Sequence, residues 1–383
     1  MGRKPTRRQF LQSSAVVTTG LAAGCSGGGE SSTDDGGETP TDGSSTEATQ
    51  TTTGGNLSKT DFNILLTYQP EMVYSPVLAA DRLGYFEEVG LNVNIEYSFG
   101  LNPMQVLTSD EFDVIVDNHI STVTGKARGV PVETVLTTIG NTPQTFASLS
   151  EKNITSVGDI PGNTLGLQNA PDVQAYTDEI FGNQLSESQR GNIEEAFIGY
   201  AVNNLLADNV DVMTLYPTNA DFASLEVTGA EFNTINMMDF IDVSGNAALT
   251  STSTLENNRP ALVEYTRAHA KGLNDVLDPN NKDEIAEMIV EVLNSYDLSD
   301  VHIEGADPME VQRLCFEKFL EFRPIDSWDT YGAGYNNPEY VGNAQQLLAN
   351  IGNISEPAMV DQDELVNNEL INEVYDDNGE LIW

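Results

Sequence analysis

The chain has 383 residues, 17 of them Lys or Arg and 59 Asp or Glu, for a formal net charge of -42. So acidic a surface excludes nucleic acid as a partner, because phosphates need cations, and it repels itself unless salt screens it, which reads as adaptation to high salt. Hydrophobic residues at 39% and aromatics at 8% exclude a disordered acidic chain, and the length suits two lobes of ordinary size.

The first 56 residues read as an address and a tether. "TRRQFLQ" at residues 6–12 places Arg7 and Arg8 before Phe10 and Leu11 and resembles a twin-arginine export signal. The run "AVVTTGLAAG" that follows is too short and too polar to cross about 30 Å of hydrocarbon. "LAAGC" resembles a lipobox, with Ala22 where Leu is preferred. Residues 1–24 are therefore expected to be a cleaved signal and Cys25 a lipid attachment site. Residues 25–56 are Gly, Ser, Thr and acid without an aromatic, the composition of a flexible tether. The expectation is a domain held at the outer face of the cytoplasmic membrane by lipidated Cys25. An ordinary signal with an incidental cysteine is the plainer alternative.

Ordered elements start near residue 62. "FNILLTY" (residues 62–68) is a short apolar run of the buried-strand kind. "YSPVLAADRLGYFEEVG" puts Val77, Ala80 and Leu83 at helical spacing and predicts one helix ending at Gly90. "LNVNIEYSF" alternates as a strand does, and "NPMQVLTSDE" opens a helix with Pro103 in its first turn. "FDVIVD" and "VPVETVLTTI" add two more strands. Strand and helix in alternation predict a parallel sheet covered by helices. In "MEVQRLCFEKFLEF", Cys315 shares a helical face with Val311, Leu314, Phe319 and Phe322 and is expected to be buried. With Cys25 the only other cysteine, neither a disulfide framework nor a cysteine metal site can be built.

"YSPVLAADRLGYFEEVGLNVNIEY" and "LTSDEFDVIVDNHISTVTGKARGVPVETV" resemble the solute-binding proteins of ABC importers. The similar subset serves thiamine-pyrimidine and riboflavin-type precursors, sulfonates such as taurine, and nitrate. Gly84, Tyr85, Phe86, Glu87, Glu88, Gly90, Leu91 and Val93 carry the first likeness. "ITSVGDIPGNTLGL" keeps the family's Asp159, Gly162 and Gly166, with Asn163 where Lys is usual. "SGNAALTSTSTLENNRPALVEYTRAHAKGL" resembles the family's return strand and long helix. The resemblance spans residues 60–350 and implies a two-lobed α/β fold of the type II periplasmic-binding-protein kind. Such a fold has mixed sheets, helices on both faces and two hinge strands. Motif order puts one lobe at 57–141 plus 245–383 and the other at 142–244, with hinges near 138–141 and 242–246. Ligand would sit between lobes that close by hinge bending. The implied partners are an ABC permease and its ATPase, with the protein itself a monomer.

In sheets of this kind ligand groups gather at strand carboxyl ends and helix amino ends. That rule selects Tyr68, Gln69 and Tyr74 after the first strand, with Tyr74 ahead of Tyr68 as a stacking surface for a flat heterocycle. It also selects Phe99 and Asn102, then Asn118 and His119 after "FDVIVD". From the other lobe come Asn169 and Asp172 in "LQNAPDVQAY", and Tyr216 and Asn219 in "VDVMTLYPTNADF". Trp328 completes the set from an aromatic segment near the end. Each has a bland alternative: loop aromatics packed on their own lobe, a structural His119, a plain N-cap at Asp172, and Trp328 pinning a C-terminal loop. Paired carboxylates abound in so acidic a chain, so pairing alone selects nothing.

No HExxH, GxSxG, phosphate loop or Cys/His ligand set occurs in the sequence beyond the tether, whose start reads GCSGG, so no catalytic residue, metal or cofactor is expected. Aromatic loops and scarce cations favour a neutral heterocycle, a hydroxymethylpyrimidine-type thiamine precursor or a riboflavin precursor. A sulfonate, taurine or nitrate site would use Arg, Lys or helix-end amides. Arg82, Lys126 and Arg128 lie near the first cleft edge and are expected on helix surfaces. An enzyme of thiamine-pyrimidine biosynthesis on the same fold is a further alternative. Asn56, Asn153 and Asn353 stand in sequons open to glycosylation.

Overall fold

The strands follow the chain as β1 (Asp61–Leu66), β2 (Asn92–Tyr97), β3 (Val114–Asn118), β4 (Val132–Thr137), β5 (Thr145–Leu149), β6 (Thr164–Gln168), β7 (Glu194–Ile198), β8 (Val212–Leu215), β9 (Phe232–Asn236) and β10 (Asn246–Ser251). They belong to a computed structural model that describes residues 57–383 apart from 99, 169, 199–201, 323 and 324. The signal, tether and anchor expected of residues 1–56 lie outside the described residues, as do Phe99 and Asn169.

The strands form two five-stranded sheets, ordered β2-β1-β3-β10-β4 and β7-β6-β8-β5-β9. In the first, β1 runs parallel to β2 and β3, while β10 lies antiparallel between β3 and β4. In the second, β6 runs parallel to β7 and β8, while β5 lies antiparallel between β8 and β9. Alternating strands and helices predict only the parallel part. The antiparallel strand in each sheet is the one that has just arrived from the other lobe, and nothing local in its sequence marks that journey.

The two crossing segments, after β4 and before β10, run side by side. Thr138 N–H donates to the Asn246 carbonyl at 2.8 Å, Gly245 N–H to the Ile139 carbonyl at 3.0 Å, and Thr142 N–H to the Val243 carbonyl at 2.9 Å. A Cβ at Gly245 would stand 2.9 Å from the Asn141 carbonyl oxygen and 3.0 Å from Ile139 Cβ, so only glycine lets the two backbones approach this closely.

The first predicted helix divides in two. Ser75–Arg82 ends before Gly84, whose φ of 80° no ordinary residue adopts readily, and a separate turn, Tyr85–Glu88, follows. Helix Thr252–Leu277 bends at Asn258, two residues before Pro260, where the ring removes a backbone donor. Cys315 is fully buried on helix Pro308–Glu321 beside Val311 and Phe319, as its spacing predicts. Among the described residues no helix is long and apolar enough to cross a membrane.

The lobes lend helices to each other's cores, two from the first lobe and one from the second. Ile120 and Val123 of helix His119–Ala127 pack in one cluster with Phe146, Leu167, Val173 and Phe181 around the second sheet, joined by Val341 and Leu348 of helix Pro338–Asn350. Reciprocally, Ala220 and Ala223 of helix Ala220–Val227 enter the first lobe's cluster with Tyr265, Phe316 and Phe319. Burying these three helices this way ties the lobes together well beyond the two crossing strands.

Candidate functional site

A cavity of about 580 Å³ opens where the strand ends of the two sheets face each other, within the range usual for small-molecule sites. Its wall is built from the chain just after β1 (Thr67, Tyr68, Tyr74), the end of β3 (Asp117, Asn118), the start of the helix after β6 (Asp172), and the loop after β8 (Tyr216, Asn219). Asn246 adds the start of β10, and Asn102 and Arg128 stand on the first lobe's side. A strand end is where a parallel sheet stops supplying hydrogen-bond partners, so its side chains and the next helix's amides are left to serve a guest.

The asparagines divide into two kinds. Asn102 Oδ1 accepts from Met104 N–H at 3.1 Å and Gln105 N–H at 3.3 Å, and Asn118 Oδ1 accepts from Ser121 N–H at 3.3 Å. Both cap helices while facing the cavity. Asn219 holds the same position before helix Ala220–Val227 and makes no capping bond. Ala220 N–H donates instead to Glu71 Oε2 of the other lobe at 2.7 Å. Asn219, 5% exposed, is left with an Oδ1 that has no partner.

Three acidic side chains shape the electrostatics. Asp117 accepts from Thr67 Oγ1 at 2.9 Å and from Ser121 Oγ, yet burial raises its pKa. Burial, and then the charge of Asp117, push Asp172 up to about 6, although helix amides and Gln144 donate to it. Burial pushes Glu71, behind the cavity wall, up to about 8, against the lowering effect of the Ala220 amide. Arg128, exposed at the rim, is the one Lys or Arg on the wall among the described residues.

Tyr68, Tyr74, Asn102, Asn118, Asp172, Tyr216 and Asn219 are thus brought to one cavity. The order of the tyrosines reverses. Tyr74 is 2% exposed, its hydroxyl 3.3 Å from Thr67 Oγ1, so it offers little ring face, whereas Tyr68 and Tyr216 are half-buried on opposite lobes. Gln69, His119 and Trp328 are not on the wall. His119 is fully buried with Nε2 3.0 Å from Thr137 Oγ1, and burial holds its pKa down at about 3, a neutral core imidazole. Its ring turns back toward β4, where Thr137 meets it. Trp328 Nε1–H donates to the Tyr335 carbonyl at 3.0 Å and pins the C-terminal loop, where Tyr331 and Tyr335 stack at 4.4 Å. Lys126 pairs with Glu133 at 3.0 Å, and Arg82 donates to Ser295 Oγ.

Sequence reasoning missed Asp117 and Glu71. Asp117 ends "FDVIVD", at the same strand end that selects Asn118, and Glu71 lies between Gln69 and Tyr74. Position marks both; only their burial separates them from 57 other acids.

The sequence profile described as NMT1/THI5 like matches residues 71–282. The chain belongs to that family. Among its relatives this NMT1/THI5-like chain is 23% identical over 304 residues to the riboflavin-binding protein RibY of Chloroflexus aurantiacus, covering 78% of this chain and 83% of RibY. It is 20% identical over 216 residues to the formylaminopyrimidine-binding protein of Halalkalibacterium halodurans, covering 55% of this chain and 64% of that one. Among solved structures, the periplasmic nitrate-binding protein NrtA of Synechocystis PCC 6803 superposes with a TM-score of 0.61 at 11% identity, over 83% of this chain and 88% of NrtA. The likeness to NrtA establishes the two-lobed α/β fold. Relatives and neighbours together support a binding-protein role for the NMT1/THI5-like chain.

Proposed function

We propose that this chain is the substrate-binding component of an ABC importer, capturing a small heterocycle between its lobes and delivering it to a permease driven by its ATPase. The ligand would be a hydroxymethylpyrimidine-type thiamine precursor or a riboflavin precursor. The observation that carries this reading is the placement of two half-buried tyrosines, Tyr68 and Tyr216, on opposite lobes of one cavity, which suits a flat ring gripped from both sides. Residues 57–141 plus 245–383 and 142–244 are taken as the lobes, hinged at the paired crossing segments. Export by a twin-arginine signal, lipidation at Cys25 and a monomeric state complete the proposal, the protein working at the outer face of the cytoplasmic membrane in high salt.

Arg128 and the helix starts at Asn118 and Asn219 favour a second reading, a sulfonate, taurine or nitrate. Thermal unfolding in molar KCl against hydroxymethylpyrimidine, riboflavin, taurine and nitrate separates the two. A ligand at 100 times its Kd should stabilise the chain by about 2.7 kcal/mol. A shift with an anion alone would sink the heterocycle reading; a shift with a ring compound, abolished by Tyr68→Ala or Tyr216→Ala, would support it. Replacing Cys25 with Ser should release the protein from the membrane fraction if the anchor is real.

A further inference from the structure

We infer that Asp117 and Asp172 form a clamp, one carboxylate from each lobe, for the amidine-like edge of an amino-heterocycle, an exocyclic NH₂ beside a ring nitrogen. The inference rests on the heterocycle reading above and narrows it to one ligand class.

The argument begins with an inventory of acceptors. Asp117 stands on the cavity wall at the end of β3 and takes bonds from the Thr67 and Ser121 hydroxyls and from the Asn118 amide. A carboxylate has about four lone-pair sites, so it has capacity left for a guest. Asp172 stands on the same wall at the start of helix Pro171–Gln184, 6% exposed, and its own amide, the Val173 amide and Gln144 leave it about one acceptor site as well. Asn219 adds a third acceptor, an Oδ1 on the cavity wall with no partner on a side chain 5% exposed. A buried acceptor without a donor costs stability until something donates to it.

The two carboxylates are also within reach of each other electrostatically. The negative charge of Asp117 is the second cause, after burial, of the raised proton affinity of Asp172. Two like charges facing each other across a closing cleft oppose closure. A guest that places N–H groups between them converts that repulsion into charge-assisted hydrogen bonds. Against these acceptors the wall sets one cation, Arg128, and that is exposed at the rim.

The chemistry that fits is therefore flat, because of Tyr68 and Tyr216, and rich in donors along one edge. A 4-aminopyrimidine meets both demands: its amino group donates two hydrogens, and its neighbouring ring nitrogen takes up a proton readily, giving donors along one edge for both carboxylates. A flavin presents carbonyl, N–H, carbonyl along the corresponding edge, and its two oxygens would face the carboxylates. Sulfonate and nitrate bring only acceptors and negative charge.

Titration calorimetry on the full-length chain in molar KCl tests the clamp. The probes are 4-amino-5-hydroxymethyl-2-methylpyrimidine, its 4-hydroxy counterpart, riboflavin and nitrate. The amino compound should bind at least ~100-fold more tightly than the 4-hydroxy compound, because the latter puts a carbonyl against buried carboxylates. Asp172→Asn should weaken the amino compound about 10- to 100-fold, and Asp117→Asn should do the same, with circular dichroism confirming that both isosteric variants fold. Equal binding of the amino and hydroxy compounds, preference for riboflavin, or indifference to both Asn variants overturns the clamp while leaving heterocycle capture standing. Binding of nitrate alone overturns both. Silence from both pyrimidines also counts against the clamp.

Discussion

At the end of β3 the first lobe places Asp117 and Asn118; at the corresponding point after β8 the second places Thr218 and Asn219. After β1 a long loop, residues 67–74, reaches the first helix carrying Tyr68, Glu71 and Tyr74, whereas after β6 the chain reaches Pro171 almost at once. The two sheets have one plan, and the plan decides where ligand groups stand. Loop length and the residue at the strand end decide what those groups are. The helices that follow differ as well. Asn118 caps its own helix through Ser121 N–H, while the helix after Asn219 is capped from across the cleft by Glu71. One lobe caps this helix from its own chain; the other's helix is capped by its neighbour.

The largest test of this interlocking removes one core ring from each lobe. Phe62 stacks on Tyr265 at 5.2 Å in the first lobe, and Phe146 on Phe181 at 5.6 Å in the second, both rings fully buried. Phe62→Ala and Phe146→Ala should each cost about 3–5 kcal/mol. Because each lobe's core holds a helix of the other, calorimetry should show one transition that both substitutions lower together. Two transitions, each answering to one substitution, would mean the lobes unfold independently. Next in size is the crossing itself. Gly245→Ala forces a methyl against the Asn141 carbonyl and Ile139, an overpacking expected to cost about 1–3 kcal/mol, and it should weaken ligand binding with no cavity residue changed. Unaltered stability would show that the crossing strands part easily.

Much of the first lobe was legible because its signals are local. Apolar runs of strand length marked β1, β3 and β4, Pro103 marked a helix start, and the strand-end rule found seven of the residues that line the cavity. What escaped depends on contacts distant in the chain. His119 satisfies the same positional rule as Asn118, and only the packing of β4 beside it decides that the imidazole goes inward. Trp328 reads as a site aromatic until Tyr335 folds back to accept its N–H. Asp117 and Glu71 were invisible for the opposite reason: in a chain with 59 acids, identity carries no information and burial carries all of it. The single helix expected across residues 74–90 failed at Gly84, where φ of 80° ends one helix and starts another.

The trans cap offers a smaller, pH-dependent test. The folded chain holds a proton on Glu71 up to about 8, and the unfolded chain releases it near 4.5. Between those values the folded state binds the extra proton, so Glu71's contribution to stability is full below pH 4.5 and falls as pH rises, by ~1.4 kcal/mol per pH unit at most. Asp172 and Asp221, each raised from 3.8 to about 6, add a similar loss at lower pH. Denaturant titrations from pH 6 to 8 should therefore show declining stability that Glu71→Gln removes. A slope that survives the substitution assigns the titration elsewhere.

The smallest effect separates the fully buried contact from a half-buried ion pair beside it. Lys318 Nζ lies 2.8 Å from Glu226 Oε2 across the same lobe junction, the two side chains 14% and 25% exposed. A pair so placed is worth about 1 kcal/mol or less, and it is the kind of interaction that molar salt weakens. A Lys318→Met, Glu226→Gln double-mutant cycle should give a coupling energy in low salt that fades in molar KCl. The Glu71–Ala220 bond, shielded from solvent, should keep its effect at both salt concentrations. If the coupling instead persists undiminished in molar KCl, the ion pair holds the lobes as firmly as the buried cap does, and the contrast between a self-capped and a neighbour-capped helix loses its energetic meaning.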